Sequence, residues 1–120
     1  HKMKMKVYFA RPISLYKTPQ DERDIDLLMS LGFDVVNPDK AALSERYKDE
    51  GMDVFYAAVR DCNVIAYRSF PDLMIGAGVK GEIDEAIKAG LMVIELPTIT
   101  EKRILSVEGT REYLKYNGNR

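Results

Sequence analysis

Two stretches of this 120-residue sequence carry residue types whose spacing could do chemistry. The first is Gly76-Ala77-Gly78-Val79-Lys80-Gly81, which fits G-x-G-x-x-G and runs on to Ala86, Gly90 and the acidic Glu95 after Val93-Ile94. In a dinucleotide-binding unit such glycines let the backbone approach a pyrophosphate at a helix N-terminus. The context argues against that use. The motif should follow a complete strand, yet Leu73-Met74-Ile75 is three residues long and sits behind Pro71-Asp72. Only 25 residues follow Glu95, too few to complete a mononucleotide-binding half plus a partner domain.

The second stretch overlaps the first. Glu82 falls in what reads as the first turn of a helix over 79–89. The free N–H groups of a first turn carry partial positive charge and favour a carboxylate. The plain alternative is a solvated helix-end residue, as Asp84 with Lys88 four positions on reads as an exposed pair. One histidine, His1, and one cysteine, Cys62, form no ligand cluster, so no metal site is expected. Cys62 permits no intrachain disulfide, reads as a small buried hydrophobe and fits a reducing, cytoplasmic setting.

The elements that must position these residues follow from periodicity. Lys4–Ala10 reads as a strand, stopped by Arg11-Pro12. Thr18 as N-cap, Pro19 at the first helical position and Asp21 in the first turn open a helix, with Ile25, Leu28, Met29 and Leu31 as its apolar stripe and Gly32 just past its end. Phe33–Val36 reads as a second strand. Two helices follow, over 41–50 and 53–60, the latter burying Phe55, Tyr56 and Val59. Val64–Tyr67 is a continuously apolar third strand, as a strand covered on both faces would be. The helix over 79–89 turns Val79, Ile83, Ala86 and Ile87 inward, and Leu91–Leu96 is a fourth strand. A fifth strand over 104–107 and a helix over 110–116 complete the expectation.

Alternating strands and helices imply right-handed crossovers and a parallel sheet. The expected fold is a single-domain, doubly wound α/β sheet of four or five mainly parallel strands, flavodoxin- or Rossmann-like, with helices on both faces. It spans residues 3–120, and His1-Lys2 ahead of Met3 reads as added sequence. A net charge of −1 gives no field toward a nucleic-acid polymer or a membrane surface, and no apolar run approaches a membrane span.

Three segments, in order, resemble the nucleoside 2-deoxyribosyltransferase family, including its nucleotide N-glycosidase branch. They are Val7-Tyr8-Phe9-Ala10-Arg11-Pro12-Ile13, Cys62-Asn63-Val64-Ile65-Ala66, and Gly78–Ala86 continued by Gly90 and Val93-Ile94. The resemblance covers roughly residues 5–96. It puts Glu82 at the nucleophile position and Tyr8 at the aromatic beside it. It implies cleavage or transfer of the N-glycosidic bond of a (deoxy)nucleoside or its 5′-monophosphate through a covalent glycosyl-enzyme.

Under that reading the leaving base needs a general acid, and Asp53 on the preceding helix is the candidate, with Asp72 on the long loop as alternative. The loop Ala10, Arg11, Pro12, Ile13 and Ser14 would hold a 5′-phosphate through its amides and the Arg11 guanidinium, while Gly76 and Gly78 border the substrate. The sequence departs from the family pattern at Arg11 (usually glycine), at Asn63 (usually aspartate) and at Phe55, where the family carries its helix aspartate. Expected partners are a small-molecule nucleoside or nucleotide and further copies of the chain, as a homodimer or higher oligomer. No cofactor is expected. The readings from other classes are a non-catalytic nucleotide-binding module and a dinucleotide-binding protein using Gly76–Gly81.

Overall fold

The computed structural model describes residues 4–97 and 104–117; the expectation for His1-Lys2 lies outside them. Four strands, β1 (Lys6–Ala10), β2 (Asp34–Val36), β3 (Val64–Tyr67) and β4 (Met92–Glu95), form one parallel sheet in the order β2-β1-β3-β4. The helices are α1 (Pro19–Ser30), α2 (Ala41–Glu50), α3 (Asp53–Arg60), α4 (Ala77–Lys88) and α5 (Val107–Tyr116), with a 3-10 turn at Ile13–Leu15. This is the flavodoxin/Rossmann-like α/β arrangement expected from the sequence.

The two-residue alternation of a strand divides β1 between two cores. Val7 and Phe9 pack with Leu28 of α1, Val64, Ala66 and Leu96 on one face. Tyr8 and Ala10 pack with Val59 of α3, Ile65, and Val79 and Ala86 of α4 on the other. β1 is therefore followed by a helix on one face of the sheet and β3 by a helix on the opposite face. Where β1 and β3 lie side by side, their connections diverge and leave a crevice beyond their carboxyl ends.

The start of α1 follows the sequence signals. Thr18 caps it by accepting from Asp21 N at 3.2 Å, Pro19 opens it, and Gly32 takes the left-handed backbone (φ 93°) that ends the turn. Its buried stripe differs from expectation. Asp21, Asp24 and Leu28 are buried, whereas Met29 and Leu31 are exposed. The two aspartates tolerate burial because each is paired. Arg11 meets Asp21 with Nε and Nη2 at 2.7 and 2.9 Å, and Arg68 reaches Asp24 Oδ1 with Nη2 at 2.8 Å. Arg11 follows β1 and Arg68 follows β3, so the two forks fasten α1 to the carboxyl edge of the sheet.

Three other expectations change. Ile104–Ser106 forms no strand; Ser106 instead caps α5 by accepting from Gly109 N at 2.9 Å, and the helix starts at Val107. On α3 the buried residues are Val54 and Val59, with Phe55 and Tyr56 only half-buried. On α4 the buried face is Val79, Glu82 and Ala86, and Ile87 is exposed. No helix among the described residues is long and apolar enough to cross a membrane.

Candidate active site

The buried face of α4 repeats at i, i+3 and i+7, and its middle member is an acid. Glu82 is 7% exposed between Val79 and Ala86, at a register where packing alone would call for an apolar side chain. Helix α4 begins at Ala77, two residues earlier than the sequence suggests, because Gly76 takes the extended backbone of an N-cap. Glu82 is thus the sixth residue of the helix, past the first turn where the dipole acts. The expectation of a dipole-stabilised carboxylate is corrected: desolvation dominates and pushes the Glu82 carboxyl up to about 7. A hydrogen bond from Tyr8 and the positive charge of Arg11 both act in the opposite direction.

Tyr8 comes from the core-facing side of β1 and is fully buried, so its phenol must find a partner. It donates to Oε2 of Glu82. Burial and the neighbouring carboxylate push the phenol well above its ordinary value, so it remains a donor at all ordinary pH. Oε1 of Glu82 makes no hydrogen bond among the described residues, where no sealed side-chain nitrogen or oxygen lacks a partner. This second oxygen is therefore not sealed from the space that Glu82 lines. That space is a cavity of about 460 Å³, within the usual size of a small-molecule site.

The crevice walls come from loops after three strands and from the α2–α3 hairpin. Arg11, Pro12, Ile13, Ser14 and Tyr16 line it after β1, Pro38 after β2, and Phe70, Gly76, Gly78, Val79 and Glu82 after β3. Ser44 and Tyr47 of α2, with Met52 and Phe55, close the far side. Tyr47 and Phe55 pack as a tilted pair with ring centroids 5.5 Å apart. The close approach of α3 to α4 depends on Gly81. The Tyr56 hydroxyl occupies the place where a β-carbon at Gly81 would stand.

No model of a known protein family matches the chain, and no curated protein matches it.

Of the residues singled out from the sequence, Glu82 and Tyr8 are brought into contact, and Arg11, Pro12, Ile13, Ser14, Gly76 and Gly78 line the cavity. Arg11 does so with its donors already engaged. Besides the Asp21 fork, Nη1 reaches the Phe9 carbonyl at 3.2 Å and Asn37 Oδ1 at 2.8 Å, and the guanidinium carbon lies 4.5 Å from the ring centroid of Phe9 and 4.3 Å from that of Tyr16. Four of its five N–H groups are committed within the protein. Ala10 is buried in the core, its carbonyl accepting from Arg68 N at 3.1 Å, and it does not face the cavity.

Neither candidate acid reaches the cavity. Asp53 opens α3, is exposed, and lies about 200° around the helix from Phe55, which faces inward. Asp72 is exposed and uses Oδ1 to accept from Met74 N at 3.0 Å, fixing its own turn. The glycine motif is not preceded by a strand: Gly76 caps α4, and Leu73–Ile75 belongs to an irregular loop.

Sequence reasoning missed Tyr16, Pro38, Tyr47, Met52 and Phe70. Each is apolar or aromatic and looks like a core residue. The available signal was position, since Tyr16, Pro38 and Phe70 all follow the carboxyl ends of strands.

Proposed function

We propose that this chain is an enzyme that cleaves or transfers the N-glycosidic bond of a (deoxy)nucleoside or its 5′-monophosphate, with Glu82 as nucleophile. One observation carries the reading. A buried carboxyl has one oxygen held by Tyr8 and the other open to a cavity large enough for a nucleoside. The ionised Glu82 attacks the anomeric carbon as the base departs, forming a glycosyl ester. Water or a second base then attacks the same carbon and frees the carboxylate. Tyr8 fixes the rotamer, so the attacking atom is always the unbonded oxygen. A carboxyl raised to about 7 still supplies the ionised nucleophile at neutral pH.

The test is release of free base from a panel of nucleosides and nucleotides, followed by chromatography. Wild type should release base, and Glu82→Gln, which keeps the shape and the Tyr8 bond, should not. Equal inertness of both proteins on the whole panel rejects catalysis. The second reading is a nucleotide-binding module without turnover. It is favoured by the fact that Glu82 is the only carboxyl lining the cavity among the described residues. Saturable binding of intact nucleoside without base release selects it.

A further inference from the structure

Charge and proton supply in the cavity narrow the kind of glycoside it suits. Among the described residues, the cavity has two ionisable charged groups, Arg11 and Glu82. Arg11 is neutralised by Asp21 in a bidentate pair and is bonded elsewhere by Asn37 and the Phe9 carbonyl. The unpaired charge of the site is therefore that of ionised Glu82, which repels an anion and attracts a cation. The remaining polar side chains that could pass on a proton are the hydroxyls of Ser14, Ser44, Tyr16 and Tyr47. Burial holds the Tyr16 phenol above its ordinary value, making it a weaker acid still. With no stronger acid than these among the described lining residues, a neutral base expelled here would leave as its anion, without the proton that a general acid supplies.

The walls also favour positive charge. Four aromatic rings border the space: Tyr16, Tyr47, Phe55 and Phe70. Tyr16 already serves as a cation platform, with the Arg11 guanidinium carbon 4.3 Å from its ring centroid.

We propose that the cavity takes cationic N-glycosides, sugars bonded to a quaternised ring nitrogen of a planar heteroaromatic, in preference to neutral nucleosides and to 5′-phosphorylated ones. This substrate class rests on the glycosidic reading above. The step balances without an acid. The C–N bonding pair passes to the ring nitrogen, cancels its charge, and a neutral heteroaromatic leaves. The free oxygen of Glu82 bonds to the anomeric carbon. Water then attacks that carbon, the ester bond returns its pair to the carboxylate, and the proton of the attacking water goes to solvent. One proton is released for each bond cleaved.

The experiment compares 1-(β-D-ribofuranosyl)pyridinium and its 2-deoxy form with uridine, adenosine, their 2′-deoxy forms and their 5′-monophosphates, using the full chain and Glu82→Gln. Rates are expressed as acceleration over buffer, which removes the intrinsic lability of the pyridinium bond. Proton release is followed with an indicator in weak buffer. We expect the acceleration for the pyridinium glycosides to exceed that for the neutral nucleosides by about 100-fold or more, the usual worth of a missing general acid. One proton per bond should be released, and both signals should vanish in Glu82→Gln. Acceleration of the neutral or phosphorylated nucleosides that equals or exceeds that of the pyridinium glycosides overturns the cationic class and leaves glycosidic chemistry at Glu82 standing. Absence of acceleration for every compound overturns both.

Discussion

Tyr8 of β1 and Glu82 of α4, 74 positions apart in the chain, share one proton-bearing contact in which the phenol donates to Oε2 of the carboxyl group. Each residue offsets what burial costs the other. The phenol gains an acceptor inside an apolar core, and the carboxylate gains a donor where water is largely excluded.

Replacing that phenol separates its two roles. Tyr8→Phe keeps the ring in the core and removes the one hydrogen bond that holds the Glu82 carboxyl down. The midpoint of the pH–rate profile for base release should then move alkaline of its wild-type position. Stability at pH 8.5, where the carboxylate is ionised, should fall by about 2 kcal/mol in urea denaturation, the scale of a lost charge-assisted bond. An unmoved midpoint would show that the phenol does not act on the carboxyl.

The pH dependence of stability follows from the same burial. The Glu82 carboxyl is raised from its ordinary 4.5 to about 7. Between those two values the unfolded chain has lost the proton and the folded chain keeps it, so unfolding releases a proton and rising pH favours unfolding. The contribution is fully present below 4.5 and is lost as pH climbs through 7. Over the whole window it is worth about 3 kcal/mol. Glu82→Gln cannot titrate. Relative to wild type it should gain up to about 3 kcal/mol as pH goes from 4.5 to 8.5, read by urea denaturation at both pH values.

The Arg11–Asp21 fork should behave as a buried ion pair with an electrostatic readout at the site. Asp21→Asn leaves the guanidinium buried beside one neutral amide, and a loss of about 3–5 kcal/mol is expected. The double change Arg11→Met with Asp21→Leu removes both charges and should recover most of that loss. Arg11 already holds the Glu82 carboxyl down. Unneutralised in Asp21→Asn, it should lower the midpoint of base release below that of wild type, opposite in sign to Tyr8→Phe.

These effects mark where the sequence was legible. The helix spans over 41–50 and 53–60 and the third strand Val64–Tyr67 match the observed elements because the glycine break at Gly51 and the apolar runs act locally. The α1 stripe was misread because Asp21 and Asp24 are buried by arginines that arrive from the ends of β1 and β3. No local pattern reports such pairing. Glu82 was singled out by the family resemblance, and the first-turn dipole offered in its support does not act on it, since Gly76 starts α4 earlier. Its environment is set by Tyr8, a neighbour only across the sheet. Asp53 looked like an acid for the site because its type was right. The helix turn that aims Phe55 inward instead is fixed by how α3 docks on α4.

That docking has one tight point, and it yields the last prediction. Gly81 immediately precedes Glu82, and a β-carbon there would overlap the Tyr56 hydroxyl. In an open helix Gly→Ala gains about 1 kcal/mol from propensity. Here the gain is opposed, because Tyr56 is half-buried on α3 and must swing away or push α4 back. Gly81→Ala should therefore destabilise the protein and, by shifting α4, weaken the Tyr8–Glu82 contact. Removing only the hydroxyl leaves ring carbon Cζ as the nearest atom, 3.3 Å from the new β-carbon, a separation that slight relaxation absorbs. In a Tyr56→Phe background Gly81→Ala should be neutral or stabilising. A double-mutant cycle in urea should show a coupling energy of at least about 1 kcal/mol. Additive effects would mean that α3 and α4 are not in close contact at this glycine, and that something else sets the position of the Glu82 carboxyl.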